Sequence, residues 1–180
     1  MAAANGGEVF DVATRKAPVN TLFSLQSERV QAYNVFHDCY EQYIASGPDY
    51  NFVQYRNNVK TATDCFQRIS GGVRDALGEL ELLRTAQAAL RLVTQLQDQE
   101  KNKLSQTVEW QLRHKDVVDA RRIVENVRDG DDADERAELL KANNAEREAK
   151  QRLGETTQEI ADTLQDLRYE FEDLLLAEET

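Results

Sequence analysis

Residues 22–73 read LFSLQSERVQAYNVFHDCYEQYIASGPDYNFVQYRNNVKTATDCFQRISGGV, and the spacing of their apolar positions decides the fold. Leu22, Leu25, Arg29, Ala32, Phe36, Cys39 and Tyr43 alternate at three and four residues. Beyond Ser46-Gly47-Pro48 the same alternation returns in Phe52, Tyr55, Val59, Ala62, Phe66, Ile69 and Val73. Such a heptad repeat keeps one stripe on a helix facing a partner helix. Two stripes joined by a short turn fold back antiparallel, so Tyr43 should face Phe52, Phe36 should face Val59, Arg29 should face Phe66 and Leu22 should face Val73. The pattern predicts an all-α protein built of long antiparallel coiled-coil helical hairpins.

Working outward, residues 1–17 are small, polar and aperiodic, which predicts a flexible N-terminal tail. Pro18 suits the first turn of a helix that runs to about Ala45, with Gly47 as its left-handed stop and Pro48 preventing continuation. The next helix has a clean start: Asn51 caps, Gln54 completes a capping box, and Tyr50 staples against Tyr55. Gly71, Gly72 and Gly78 fall inside it, each costing about 1 kcal/mol relative to Ala, which predicts a kink or a close helix contact there. Residues 18–84 thus form the first hairpin.

From about Ala86 to Arg128 the helical pattern persists, anchored by Val93, Leu96, Leu104, Val108 and Leu112, while Gln97 and Glu100 interrupt the stripe. Asp129-Gly130-Asp131-Asp132 breaks that helix and caps another, since Asp near an N-terminus complements the helix dipole. Leu153, Thr157, Ile160, Leu164, Leu167, Phe171 and Leu174 give the last stripe. Folding the two back pairs Val93 with Leu167 and Val108 with Leu153, making residues 85–176 a second, acidic hairpin before a tail at 177–180. Two hairpins in series and one four-helix bundle both satisfy the pattern.

Composition narrows the function classes. The chain of 180 residues is 41% apolar and 31% charged, with a net charge of −11. Residues 1–115 hold 13 Lys/Arg and 13 Asp/Glu, leaving 9 and 20 for residues 116–180, so the acidity lies in the last third. Arg121-Arg122 is the largest basic cluster, and direct nucleic-acid binding, which relies on a clustered basic surface, is not expected. No run is long enough to span a bilayer and the start lacks a signal-like segment, so a soluble intracellular protein is expected, with no membrane association. Cys39 and Cys65 lie about nine residues apart along the hairpin, about 13 Å at the helical rise, too far for a disulfide.

Sites for chemistry are scarce. His37 and His114 lack neighbours at metal-ligand spacing, so no metal is expected. The stretch from Asp129 resembles a calcium loop but has Asp134 where the turn needs Gly and Leu140 where a bidentate Glu is needed. Ser70-Gly71-Gly72 lies within a helix and lacks the rest of a phosphate loop. No nucleophile and base converge, so neither an enzyme nor a cofactor nor a small-molecule substrate is expected.

Two stretches exceed what a seam requires. The turn carries Ser46, Gly47, Pro48, Tyr50, Phe52, Tyr55 and Arg56 at the tip of a hairpin, and aromatics with Arg are the residue types that anchor interfaces. The same residues also serve as cap, staple and last core layer. Leu175 and Leu176 crowd the end of the last stripe and are candidates for an intermolecular contact. Arg29 is the polar intrusion in the first stripe. It either sets register from within the seam or extends to solvent beside it.

Leu25-Gln26-Ser27-Glu28-Arg29 with Ala32, Tyr43 to Phe52 with Tyr55-Arg56, Leu96-Gln97 with Glu100 and Leu104, and Leu164-Gln165-Asp166-Leu167-Arg168 together resemble the required-for-excision-1 B domain family. The Ser-Gly-Pro-x-Tyr-x-Phe-x-x-Tyr-Arg turn is the most specific part of the likeness. This chain departs in having Val53 where relatives can place proline, and in a longer acidic region around Asp116 to Arg152. The resemblance implies a part in DNA excision repair and supplies no catalytic residues. The expectation is a non-enzymatic helical adaptor acting through other proteins in a larger complex, nuclear if it serves repair. A structural coiled-coil subunit of a cytoskeletal or ciliary assembly is the alternative.

Overall fold

Asp11 opens the first helix, its side chain accepting a 2.7 Å hydrogen bond from the Thr14 backbone N–H. That bond satisfies one of the amides a helix start leaves without a partner. The computed structural model describes residues 11–126 and 133–176. They form α1 (Val12–Ala45), α2 (Phe52–Leu82), α3 (Gln87–Asn126), α4 (Ala133–Glu170) and the short α5 (Glu172–Leu176). Among the described residues there is no strand, and the protein is all-α. Residues 1–10, the expected break at Asp129-Gly130-Asp131-Asp132 and the 177–180 tail lie outside the described residues.

α1 begins ahead of Pro18, so residues 12–17, expected in the tail, are helical. Pro18 is fully buried, and its packing offsets the missing N–H that makes proline costly inside a helix. α2 ends without a glycine. Thr85 N–H donates to the Leu80 carbonyl at 3.1 Å and Arg84 N–H to the Glu81 carbonyl at 3.0 Å, the two bonds of a Schellman stop. Arg84 therefore adopts a φ of 54°, a conformation that costs an L side chain about 1 kcal/mol.

The first hairpin is antiparallel, but α2 sits about half a turn from the expected register. Glu28 bonds Arg68 at 2.7 Å, Tyr43 stacks on Tyr55 with centroids 4.3 Å apart, and Leu25 lies against Gly72. The cause is the turn: α1 ends at Ala45 and α2 starts at Phe52, so those ends abut and residues 46–51 belong to neither helix. Gly72 is the close contact that the glycines predicted, since a Cβ there would lie 2.9 Å from Leu25 Cδ1. The second hairpin keeps its expected register. Gln95 donates to Thr163 at 3.2 Å, Arg152 to Glu109 at 2.8 Å, and His114 meets Glu146 at 2.7 Å. Thr156 is buried and Thr157, expected in the stripe, is exposed, and Leu112, expected as an anchor, is 60% exposed.

The hairpins lie side by side as one bundle. Val19 and Leu22 of α1, Ile69 and Val73 of α2, Val93 and Leu96 of α3, and Leu167 of α4 share one core cluster, each with no exposed area. Excluding these side chains from water is the main stabilising contribution, about 1.5–3 kcal/mol for each large one. α1 and α3 run parallel, because Arg29 reaches Gln97, Tyr33 reaches Glu100 and Tyr40 reaches Gln111.

Arg29 settles its own alternatives by being buried, 3% exposed. Its guanidinium donates to Ser70 Oγ at 3.3 Å and Gln97 Oε1 at 3.2 Å, and Nη1 lies 3.8 Å from Glu100 Oε2. Gln97 in turn donates to the Ser70 carbonyl at 3.1 Å. Burial lowers the Arg29 pKa against the opposing charge of Glu100. Burial likewise raises the Glu100 pKa, opposed by Arg29, Lys103 and a hydrogen bond from Tyr33. The polar residues that interrupt two separate stripes thus form one network between the hairpins.

Candidate interaction site at the hairpin turn

Ser46 organises the turn. Its Oγ donates to the Tyr43 carbonyl at 2.7 Å and accepts from the Asn51 backbone N–H at 3.0 Å. Asn51 Oδ1 then caps α2 by accepting from Gln54 N–H at 3.2 Å, while Asn51 Nδ2 donates to Gln54 Oε1 at 3.0 Å. The expected capping box is therefore altered: Gln54 returns to the Asn51 side chain, and Ser46 takes the backbone N–H that the box would have used. The staple is altered too. Tyr43 lies between Tyr50, at 4.9 Å, and Tyr55, at 4.3 Å.

The turn does not project freely, because α3 holds it. Tyr50 OH donates to Asp119 Oδ1 and accepts from Arg122 Nη1 at 2.8 Å. Lys115 bonds the other oxygen of Asp119, and its Nζ stands 4.5 Å from the Tyr50 ring centroid. Gly47 is needed beside this cluster, since a Cβ there would fall on the Arg122 guanidinium and 2.7 Å from Tyr50 Cε1. Tyr55 OH donates to Gln111 Oε1 at 3.0 Å, and Tyr40 OH to the Gln111 carbonyl at 2.8 Å.

Electrostatics follow the geometry. Burial pushes the Asp119 carboxyl up, but hydrogen bonds from Lys115 and Tyr50, with the charges of Lys115 and Arg122, outweigh it and leave it below its ordinary 3.8. Burial, then the bond to Asp119, raises the Tyr50 phenol, so it remains a protonated donor. Lys115 is raised chiefly by its bond to Asp119. Tyr50 OH, Asp119, Lys115 and Arg122 are each paired with an opposite partner, an arrangement that fastens two elements together.

What remains outside the clasp is the apolar shoulder. Phe52 and Val53 are 59% and 64% exposed at the head of α2, beside exposed Pro48 and Arg56. Phe52 was expected as a last core layer, and the half-turn shift of register moves it clear of α1. Leu175 and Leu176 lie at the opposite end of the bundle, with α5 against α1 near Phe23, about 35 Å from the turn at the helical rise. Leu175 packs on the core, while Leu176 is 73% exposed. The two expected contact sets are thus separate surfaces.

Lys115, Asp119, Arg122 and Gln111 are the site residues that sequence reasoning missed. The four-residue spacing of Lys115 and Asp119 was a visible signal, but their alignment with Tyr50 depends on the parallel packing of α1 and α3. His114 bonds Glu146 and stacks on Trp110 with centroids 5.5 Å apart. Cys39 and Cys65 are both half-buried thiols with no bridge between them. Among the described residues no cluster of three or more His, Cys, Asp or Glu is placed to hold a metal, and no helix is long and apolar enough to cross a membrane.

A bundle of long helices with a clasped turn defines a helical protein, and the chain belongs to the family described as DNA repair REX1-B, whose model matches residues 17–114. The match takes in most of α1, all of α2 and much of α3, and the Leu164–Arg168 part of the resemblance lies beyond it. A mouse (Mus musculus) Required for excision 1-B domain-containing protein is 35% identical over 97 residues, covering 52% of this chain and 57% of the relative. A relative of the same name from Bos taurus is 33% identical over 94 residues, covering 52% of each. The chain spans about half the length of the curated relatives it matches. No solved structure matches it.

Proposed function

We propose that this protein is a non-enzymatic interaction subunit that serves DNA excision repair by joining other proteins. The observation that carries this reading is the tip itself: Phe52 and Val53 are more than half exposed on a turn that Tyr50, Asp119 and Arg122 hold in one conformation. Apolar surface presented on a rigid support suits binding, since little conformational freedom is lost on contact. The repair pathway comes from the family description. The net charge of −11 opposes a grip on phosphate backbones, so protein partners rather than DNA are the proposed contacts, in the nucleus.

The test is partner recovery by quantitative mass spectrometry from cells expressing the tagged full chain, comparing it with Phe52→Ser/Val53→Ser/Arg56→Ala. These positions are exposed, so the variant keeps the fold. Loss of repair-complex subunits with the variant supports the reading, and recovery unaffected by it contradicts the site. A second reading rests on the length of α3, whose 40 residues extend about 60 Å. Recovery of cytoskeletal or ciliary subunits at fixed stoichiometry would favour that structural role.

A further inference from the structure

Gln97 of α3 donates to the Ser70 carbonyl of α2 at 3.1 Å, and Tyr55 of α2 donates to Gln111 of α3 at 3.0 Å, so these two helices run antiparallel. That pairing puts Val59 level with Val108 and Arg56 level with Leu112. A cleft of about 420 Å³ opens between the helices, with Phe66 and Leu104 in its lining and the exposed Arg74 and Lys101 at its rim. On α3, Lys101, Leu104, Val108 and Leu112 recur every three or four residues and share one face. On α2, Phe52, Arg56, Lys60, Thr63 and Gln67 do the same. Thr63, Gln67, Lys101 and Leu104 line the cleft, so the remainder of each face continues from it toward the turn. Along that track Val108 is 41% exposed, Leu112 60% and Phe52 59%. The exposed charges on the two faces have one sign. Arg56, Lys60, Arg74 and Lys101 are all exposed, and none forms an ion pair with a described residue. The acid in the cleft lining, Glu100, is buried and faces Arg29. In a chain of net charge −11, this cationic rim beside apolar surface is the exception.

We propose that the track between α2 and α3 docks an acidic amphipathic helix of a partner protein, with its carboxylates against Arg56, Lys60, Arg74 and Lys101 and its apolar stripe on Leu104, Val108 and Leu112. The proposal deepens the adaptor reading and rests on it. Charge complementarity selects the acidic partner, since four unpaired cations flank the apolar floor. Shape selects a helix. Two antiparallel helices leave a straight channel whose ridges repeat every three or four residues, and the side chains of a third helix fit that repeat. Arg56 to Arg74 covers about 27 Å, the length of about five helical turns. A phosphate backbone would pair the cations but leave Val108 and Leu112 in water, which makes nucleic acid the poorer occupant. A second copy of this chain fits no better. Its exposed acids on α4, Glu155, Glu159, Asp162 and Asp166, have no large exposed apolar side chain among them to cover the floor.

The test is a display selection against the immobilised full chain, using a library of helices about five turns long with positions randomised over acidic, basic, neutral and apolar residues. Two variants are screened in parallel. Lys60→Glu/Arg74→Glu/Lys101→Glu reverses the rim, and Val108→Ser/Leu112→Ser strips the floor. All five positions are exposed, so both variants keep the fold, and helical melts check this. The native chain should enrich helices that carry Glu or Asp beside an apolar stripe. A selected peptide should bind either variant about tenfold more weakly and should weaken on the native chain as salt rises. The rim-reversed chain should enrich Lys or Arg in place of the acids. Absence of enrichment, the same acidic helices enriched on the reversed rim, full affinity on the stripped floor, displacement of the peptide by duplex DNA, or a native dimer dissolved by the reversal would each overturn the proposal. Partner recovery with the Phe52/Val53/Arg56 variant is read separately in cells, so the track can fail while the adaptor reading stands.

Discussion

Arg29 of α1 donates to Gln97 of α3 at 3.2 Å, so two residues that each spoil an apolar stripe spoil it against one another. Their network joins the hairpins at mid-bundle, where Glu100 supplies the counter-charge. Arg29→Met leaves Glu100 buried without its cation and should cost about 3–5 kcal/mol in urea unfolding. Adding Glu100→Met should recover most of that loss, because a matched apolar pair replaces a matched ionic one. A double variant as unstable as the single would show that the ion pair is not what Arg29 supplies.

The clasp at the turn makes a separate prediction. Tyr50→Phe keeps the ring against Tyr43 and Lys115 but removes the hydroxyl that bridges Asp119 and Arg122. Stability should fall by about 1–3 kcal/mol, the cost of losing hydrogen bonds to charged groups. Equal stability of Tyr50→Phe and the parent in urea titrations would contradict the clasp.

Asp119 gives that clasp a pH dependence of defined sign. Its carboxyl is held below 3.8 in the folded chain, so the folded state favours the ionised form. The resulting stability is present above the unfolded value and is lost as pH falls through the folded one. The advantage of the parent over Asp119→Asn should therefore be constant near neutral pH and shrink as pH drops below about 4. An advantage undiminished in strong acid would place its origin elsewhere.

Two glycines of α2 should respond oppositely. At Gly78 a Cβ meets nothing within 4 Å, whereas at Gly72 it lies 2.9 Å from Leu25 Cδ1. Gly78→Ala should raise stability by about 1 kcal/mol through helix propensity alone. Gly72→Val should lower it by about 1–3 kcal/mol by forcing Leu25 aside. Thermal melts of the two variants shifting in the same direction would refute the assigned helix contact.

Arg84 offers a gain of another kind. At φ 54° it occupies the position where a Schellman stop takes glycine. Arg84→Gly should relieve the left-handed strain and stabilise the chain by up to about 1 kcal/mol, read from the denaturation midpoint.

How far the sequence reaches is visible in these same residues. Heptad spacing identified the helices and the register of the second hairpin, because apolar burial has a period that a chain displays directly. Register in the first hairpin depends on where the helices stop, and the turn hid that by keeping residues 46–51 outside both. Arg29, Gln97 and Glu100 were each legible as interruptions, yet their meeting is a property of the packing between hairpins. The turn was legible as an unusual cluster for the same reason that its clasp was not: Tyr50 is near Tyr55 in sequence, while Asp119 and Arg122 approach it only once α3 lies along α1.

The central structural claim, that both hairpins form one body, can be read from the single tryptophan. Trp110 of α3 packs against Tyr40 of α1 with centroids 5.8 Å apart, across the boundary between hairpins. Trp110 emission and far-UV circular dichroism should be followed together through a urea titration. One coincident transition is predicted, as for a single cooperative unit. Exposure of Trp110 at lower urea, with helix content still intact, would mean that the hairpins separate as independent units and would contradict the account.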